Sequence, residues 1–600
     1  RSGRARLVVP IVLVAMAVVT MVVGVGSPDR IFFDEVYYVN DARDFLEFGV
    51  EDGFVVHPAL GKMLIATSIT IFGDTPLGWR LLGAILGAIG VWLVYDMARR
   101  LGLRIAAAGL AALALALDGV WIAQSHTAML DIHLGFFVVL GAWALVQDRN
   151  HVRRADDAAL AAAAAPLSVP VPAVAGSAAA AAAVATTSAA TTTSAASGVP
   201  NSRADGIEST PPRLRSLPRP GRWWLVLAGV SFGAGVAVKW SGALALVAAG
   251  IVVAGWELAR RRLLLGSARD QPWSWLGLGL GALVLVPLAV YAVSWIPWFV
   301  AFDNTYMASG PCANADNDLD CDGLGRVGAL VDYHDRMFDF HINLDADHAY
   351  REPATGWPIQ HRPVVYYYET CSDNRNDRVP QTDSDGVVTT PEPCTVPQGS
   401  AAEIMSLGNP AVWWTLLASL PLLGAALRRR SPAAWMAVTF ILVQFVPWLG
   451  PSRPVFNFYT VPLVPFVALA LAIAVDEVTS WRDGWRAWVV GTATGVTLAA
   501  TLVAVAEFTT LHVDWVLGWY LVGITAAAGG AMMGTDTSRV ATGWASTAGA
   551  TQAGDTRRVW PTVTVAAVVV AVAVYFMPVW WGVTMPTWFV RAHWWLSSWV

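Results

Sequence analysis

Asp34 and Glu35 are the residues best placed to do chemistry in this chain. They head the stretch FDEVYYVNDARDFLEFGVEDGFVVHPALGK over residues 33–62, which also carries Asp41, Asp44, Glu47, Glu51 and Asp52. Only 14% of the chain is charged, so this concentration of acids marks a wet loop between two apolar segments. A carboxylate fixed at such a boundary can take the proton of an attacking hydroxyl. The structural alternative is an interfacial helix cap, since acids favour helix N-termini.

The elements that must hold this loop are membrane helices. The chain has 600 residues, is 56% hydrophobic and contains 30 Trp, and its mean hydropathy is +0.51. Apolar runs of spanning length recur throughout, which sets it apart from soluble globular chains. Net charge is -5 with acids and bases segregated by segment, and nothing in this pattern calls for a nucleic-acid partner. Lys occurs only at 62 and 239, although Lys and Arg total 39.

Arg1, Arg4 and Arg6 precede the first apolar run, read as a helix entering from the cytoplasm. Spans are predicted at 7–26, 78–97, 104–120, 129–147, 223–238, 242–258, 274–297, 411–427, 433–449, 459–476, 486–507, 514–534 and 560–580. They put the basic clusters Arg99-Arg100-Arg104, Arg149-Arg153-Arg154, Arg260-Arg261-Arg262 and Arg428-Arg429-Arg430 on the cytoplasmic side. The organisation expected is therefore an N-terminal transmembrane region over 1–149 with its acidic external loop at 27–76, and helices over 223–298. An extracytoplasmic loop over 299–409 and a C-terminal transmembrane region over 410–600 follow. Residues 150–222, rich in Ala, Ser, Thr and Pro, read as a disordered cytoplasmic linker.

Cys312, Cys321, Cys371 and Cys394 all fall in the 299–409 loop, which points to an oxidising side and two disulfides between neighbours, though three connectivities are open. Asp318, Asp320 and Asp322 followed by Gly323 match the first half of a calcium loop. The twelfth position is Ala329 and lacks the bidentate carboxylate, so a solvated acidic turn is the competing reading. No spacing among His57, His126 and His348 resembles a metal set.

Several short motifs in order over about 30–470 resemble the protein O-mannosyltransferase family, membrane enzymes that move mannose from a polyprenyl phosphate to Ser or Thr of exported proteins. They are Asp34-Glu35, His57-Pro58-Ala59-Leu60-Gly61-Lys62, Gln124-Ser125 through Met129-Leu130-Asp131, and Val238-Lys239-Trp240-Ser241-Gly242. His348-Ala349-Tyr350, Gly356-Trp357-Pro358 with Arg362-Pro363, Leu407-Gly408-Asn409-Pro410 and Phe456-Asn457-Phe458-Tyr459-Thr460 continue the series. The resemblance implies an all-α polytopic membrane protein, a glycosyltransferase C-type helical bundle of about 11–13 transmembrane helices with one extracytoplasmic loop domain. His126 stands where the family has Arg, and the external loop is too short for the β-trefoil repeats of fungal and animal members.

By the same resemblance the donor is polyprenyl-phosphate-mannose, with no cofactor required. The partners are exported or unfolded proteins, the secretion translocon and membrane lipids. Asp34 becomes the general base, with Glu35 positioning the acceptor or supporting Asp34. One carboxylate suffices because the phosphate is already a good leaving group. Lys239, Lys62 and Arg453 become contacts to the donor phosphate, against the alternative that each lysine snorkels to the interface. His126, Asp131, His348 and Trp357 complete the expected substrate-binding set. A transporter or flippase of lipid-linked sugars, or a same-fold enzyme acting on a lipid or cell-wall glycan, remains the alternative. Transporters favour ionisable groups at the midplane in paired repeats, and the acids here gather at one surface.

Overall fold

The computed structural model describes residues 2–51, 56–164, 214, 216–265, 277–313, 321–345, 348–371, 381–382, 388–389, 395–451, 453–479 and 559–599. Most of the expected linker, the predicted spans 486–507 and 514–534, and Asp318, Asp320 and Cys394 lie outside these residues. The chain forms two compact units, one of residues 1–150, 221–257 and 271–600, the other of 151–220 and 258–270. In the second, Asp156 accepts hydrogen bonds from Arg260 at 2.6 and 2.7 Å.

The first unit is a helical bundle. Among the described residues seven helices are long and apolar enough to cross a membrane, or eight if one bent pair counts as a span. The bend separates α5 (Ile105–Ala116) from α6 (Gly119–Ser125) by 54°, where a single span over 104–120 was predicted. Asp118 causes the break. Its carboxylate caps α6 through the Val120 and Trp121 amides and also accepts the Asn409 amide and the Trp413 indole N–H. Asn409 in turn caps the helix Pro410–Arg428 and donates to Leu117 O, so the Leu407–Pro410 motif is a joint of the bundle.

The acidic loop is largely helical. α2 (Glu35–Phe48) and α3 (Leu60–Phe72) occupy it and pack together before a tight turn leads into α4 (Pro76–Arg100). Thr75 caps α4 and Pro76 opens it. With 13 residues, α3 is about 20 Å long, well short of a ~30 Å hydrocarbon layer.

The segment 299–409 adds β-structure to the expected all-α plan. Strand Val364–Thr370 pairs antiparallel with Ser400–Ser406, which pairs with Met585–Pro586 from near the chain's end. Glu51 accepts the Tyr333 hydroxyl at 2.6 Å, and the Trp599 indole donates to Gln360 O at 2.8 Å. The acidic loop, the 299–409 segment and the C-terminal residues thus meet at one end of this unit.

Candidate active site

Asp34 sits at the N-cap position of α2, yet its side chain caps nothing. Its carboxylate is therefore not spent on the helix. The backbone just before it is strained, because Phe33 has φ 52°, a region disfavoured for a bulky residue. Packing supports the strain: the Phe33 ring lies 4.6 Å from Tyr366 and meets Phe458 edge-on at 5.9 Å.

Glu35 points the other way. It is fully buried, accepts Arg80 Nε at 2.7 Å and Arg80 Nη2 at 2.8 Å, and accepts the Ala128 amide at 2.8 Å. Arg80 also donates to the carbonyls of Pro28 and Arg30. This corrects the expectation that Glu35 meets the acceptor, because both of its oxygens are engaged inside the protein. The pair instead fixes the strand of chain that leads into Asp34.

Asp131 and Lys239, whose charges act on the Asp34 carboxyl, line a cavity of about 620 Å³ together with His57, Trp240, His341, Trp448, Arg453 and Tyr459 among others, while Asp34 itself is not among the lining residues. Lys239 caps the C-terminus of α8 (Trp223–Val238), just before α9 (Gly242–Leu264). Asp131 is the second residue of α7 (Leu130–Ala164). The Lys239 ammonium donates to both Asp131 oxygens at 3.0 Å and stands 5.0 Å from the Tyr459 ring centre. Across the cavity Arg453 donates to His341 Nδ1 at 3.1 Å and to His341 O at 3.2 Å. His341 Nε2 is 2.9 Å from Val56 O, which makes the imidazole a neutral Nε2–H tautomer.

The electrostatics follow from burial. Burial raises the Asp34 carboxyl to about 6; the Lys239 ammonium pulls it down and the Asp131 carboxylate pushes it up. His341 is lowered to about 4 by burial and then by Arg453, and His57 is lowered well below its ordinary value by burial and then by Lys239. The site thus holds a carboxylate of raised basicity, two fixed cations and two neutral imidazoles stacked at 5.1 Å.

Four other expected residues are elsewhere. Lys62 is fully buried and paired with Asp41 at 2.8 Å and Glu51 at 2.7 Å, so its ammonium is consumed inside the protein and does not meet a phosphate at the surface. His126 is buried with Nε2 at 3.0 Å from Thr20 O and its ring stacked on Trp581. Trp357 is buried among Phe445, Trp448 and Tyr459 and offers no open face for a sugar. His348 is exposed against Phe456. None of the four lines the cavity. No cluster that could hold a metal ion occurs among the described residues.

The substrate-binding set expected from the sequence lacks His341, Trp240, Trp448 and Tyr459, of which Trp240 and Trp448 read as interfacial anchors at predicted span ends. Trp240 and Tyr459 stood inside quoted motifs, beside Lys239 and in the Phe456–Thr460 run, and that adjacency was the available signal. His341 carried none, because only the fold brings the end of its helix to Arg453.

The sequence pattern of the dolichyl-phosphate-mannose-protein mannosyltransferase family matches residues 72–171 and 213–303. A polyprenol-phosphate-mannose–protein mannosyltransferase of Corynebacterium glutamicum is 26% identical over 505 residues, covering 79% of this chain and 82% of the relative. One of Mycolicibacterium smegmatis is 30% identical over 495 residues, covering 78% and 81%. The fold resembles that of the S. cerevisiae protein O-mannosyltransferase Pmt1–Pmt2 complex bound to the sugar donor, with a TM-score of 0.61 at 13% identity over 99% of this chain and 92% of that one. With this degree of identity over most of both chains, the protein belongs to the polyprenol-phosphate-mannose–protein mannosyltransferase family.

Proposed function

We propose that this chain transfers mannose from polyprenyl-phosphate-mannose to Ser or Thr hydroxyls of exported proteins, with inversion at the anomeric carbon and Asp34 as general base. The acceptor oxygen bonds to the anomeric carbon as the bond from that carbon to the phosphate oxygen breaks. Asp34 takes the hydroxyl proton, and the polyprenyl phosphate leaves with the electron pair. Lys239, oriented by Asp131, and Arg453, oriented by His341, stabilise the phosphate charge as it grows. The observation that carries this reading is an uncapped carboxylate of raised basicity that feels the charges of Lys239 and Asp131, two residues lining a cavity that also holds Arg453. Asp131 is the weaker candidate for base, since both of its oxygens accept from Lys239.

In this reading the N-terminus is cytoplasmic and the cavity opens on the outer side of the cell membrane, where acceptors emerge from the translocon. The Cys312–Cys321 disulfide, in the same 299–409 segment that supplies His341, supports an oxidising side. The test is purified Asp34→Asn with labelled polyprenyl-phosphate-mannose and a Ser/Thr peptide. Turnover should fall by ~10²–10⁴-fold with unchanged thermal unfolding. Near wild-type turnover refutes the role of Asp34, and mannose delivered to a lipid or glycan but not to the peptide refutes the acceptor.

A further inference from the structure

The helix Gly325–Asn343 presents three different edges. Ala329, Tyr333 and Met337 pack into a cluster with Trp295, Trp298 and Phe302. Asp332, Arg336 and Asp339 form a charged edge, with Arg336 Nε 2.7 Å from Asp332. Along a third edge Leu324, at the helix's N-cap, then Val327, Val331, Phe338 and Ile342 recur at helical spacing, between 52% and 90% exposed, with the exposed Asp335 on the same line between Val331 and Phe338. Apart from Asp335 this edge is apolar; Phe338 and Ile342 at its C-terminal end line the cavity, and Leu324, Val327 and Val331 stand exposed.

The depth of the helix says what covers it. Its packed edge rests on the end of the membrane-crossing helix Gly277–Val300, at the level of Tyr291, Trp295 and Trp298. There the Tyr291 hydroxyl lies 2.8 Å from His334 Nε2 and accepts the Trp240 indole N–H at 2.9 Å. Trp and Tyr with polar ends bonded in this way mark the boundary between hydrocarbon and water. The crossing helix leaves Val293, Ile296 and Val300 more than half exposed at the same end, so a lipid-facing surface already runs up to this level. A helix with one apolar edge and one charged edge at that level suits the boundary between headgroups and acyl chains.

We propose that the helix Gly325–Asn343 lies in the membrane interface with Leu324, Val327 and Val331 in lipid, and that the bilayer surface thereby holds one wall of the cavity. The wall is the same helix, since Phe338, His341 and Ile342 line the cavity. The inference rests on the membrane reading of the fold but not on Asp34, so it survives if Asp34→Asn stays active.

The experiment is nitroxide labelling of Val327→Cys, Val331→Cys and Asp339→Cys in the full chain reconstituted in phosphatidylglycerol-containing liposomes. No free cysteine competes for the label among the described residues. Collision rates with oxygen and with a water-soluble nickel chelate are read by power saturation, and thermal unfolding of each variant checks that it is folded. Oxygen collisions should exceed nickel collisions at Val327→Cys and Val331→Cys, and the order should reverse at Asp339→Cys. Nickel access at all three places the helix in water and overturns the proposal. Exclusion of both reagents at Val331→Cys also overturns it, because the edge then faces a second copy of the chain.

Discussion

Asp34 owes its basicity to burial, which two charged neighbours adjust in opposite senses, and this gives the site a signature in pH. The base must be ionised to act, so kcat/KM should be flat at neutral pH and fall tenfold per unit below the Asp34 value of about 6. Asp131 raises that value and Lys239 lowers it. Asp131→Asn should therefore move the acid limb to lower pH, and Lys239→Gln should move it to higher pH. His57 and His341 are held below the ordinary histidine range by burial and the nearby cations, so neither adds a limb above pH 6. Profiles of kcat/KM for the two variants check the assignment, and shifts of the same sign in both would contradict it.

At the scale of elements, the expected surface lysine turns out to be an internal clamp. Lys62 on α3 pairs with Asp41 on α2 and with Glu51, whose carboxylate also accepts the Tyr333 hydroxyl. One ammonium thus joins the acidic loop to the helix that carries His341. Lys62→Gln would leave two buried carboxylates without their cation, a change that costs about 3–5 kcal/mol. The expected outcome is a clear fall in thermal stability, measured by unfolding in detergent, together with loss of activity. Sequence rarity had singled out Lys62 and Lys239 alike, and the two part company in the fold. Lys239 lies at the end of a helix facing the cavity, whereas Lys62 sits in the first turn of a short helix covered by acids from distant positions. The acids of the 33–62 stretch read as a solvated cluster because their partners, Arg80, Lys62 and Tyr333, lie outside the stretch or at its far end. Apolar runs made the bundle legible; the pairings that divide one carboxylate from the next were not.

For the whole molecule, the C-terminal residues that offered no motif complete the end of the bundle that holds the site. The strand Met585–Pro586 extends the sheet, the Trp594 indole donates to Glu403 at 3.2 Å, and the Trp599 indole donates to Gln360 O. Gln360 is a fully buried hub with φ 56°. Its side-chain oxygen accepts the Gly408 amide at 2.7 Å and the Asn457 side chain at 3.2 Å. Asn457 opens the turn Asn457–Thr460, which carries Tyr459 into the cavity. Contact therefore runs from Trp599 through Gln360 to a wall of the site, across parts of the chain that no local pattern could connect. Trp599→Ala removes a buried indole and leaves a cavity under this hub, which costs about 3–5 kcal/mol. Thermal unfolding should report that loss, and Trp599→Phe, which keeps most of the packing but not the N–H, should lose less. If the contact reaches the site, Trp599→Ala should also raise the donor KM at temperatures where the protein remains folded. A donor KM equal to wild type in the folded variant would confine the tail to stability.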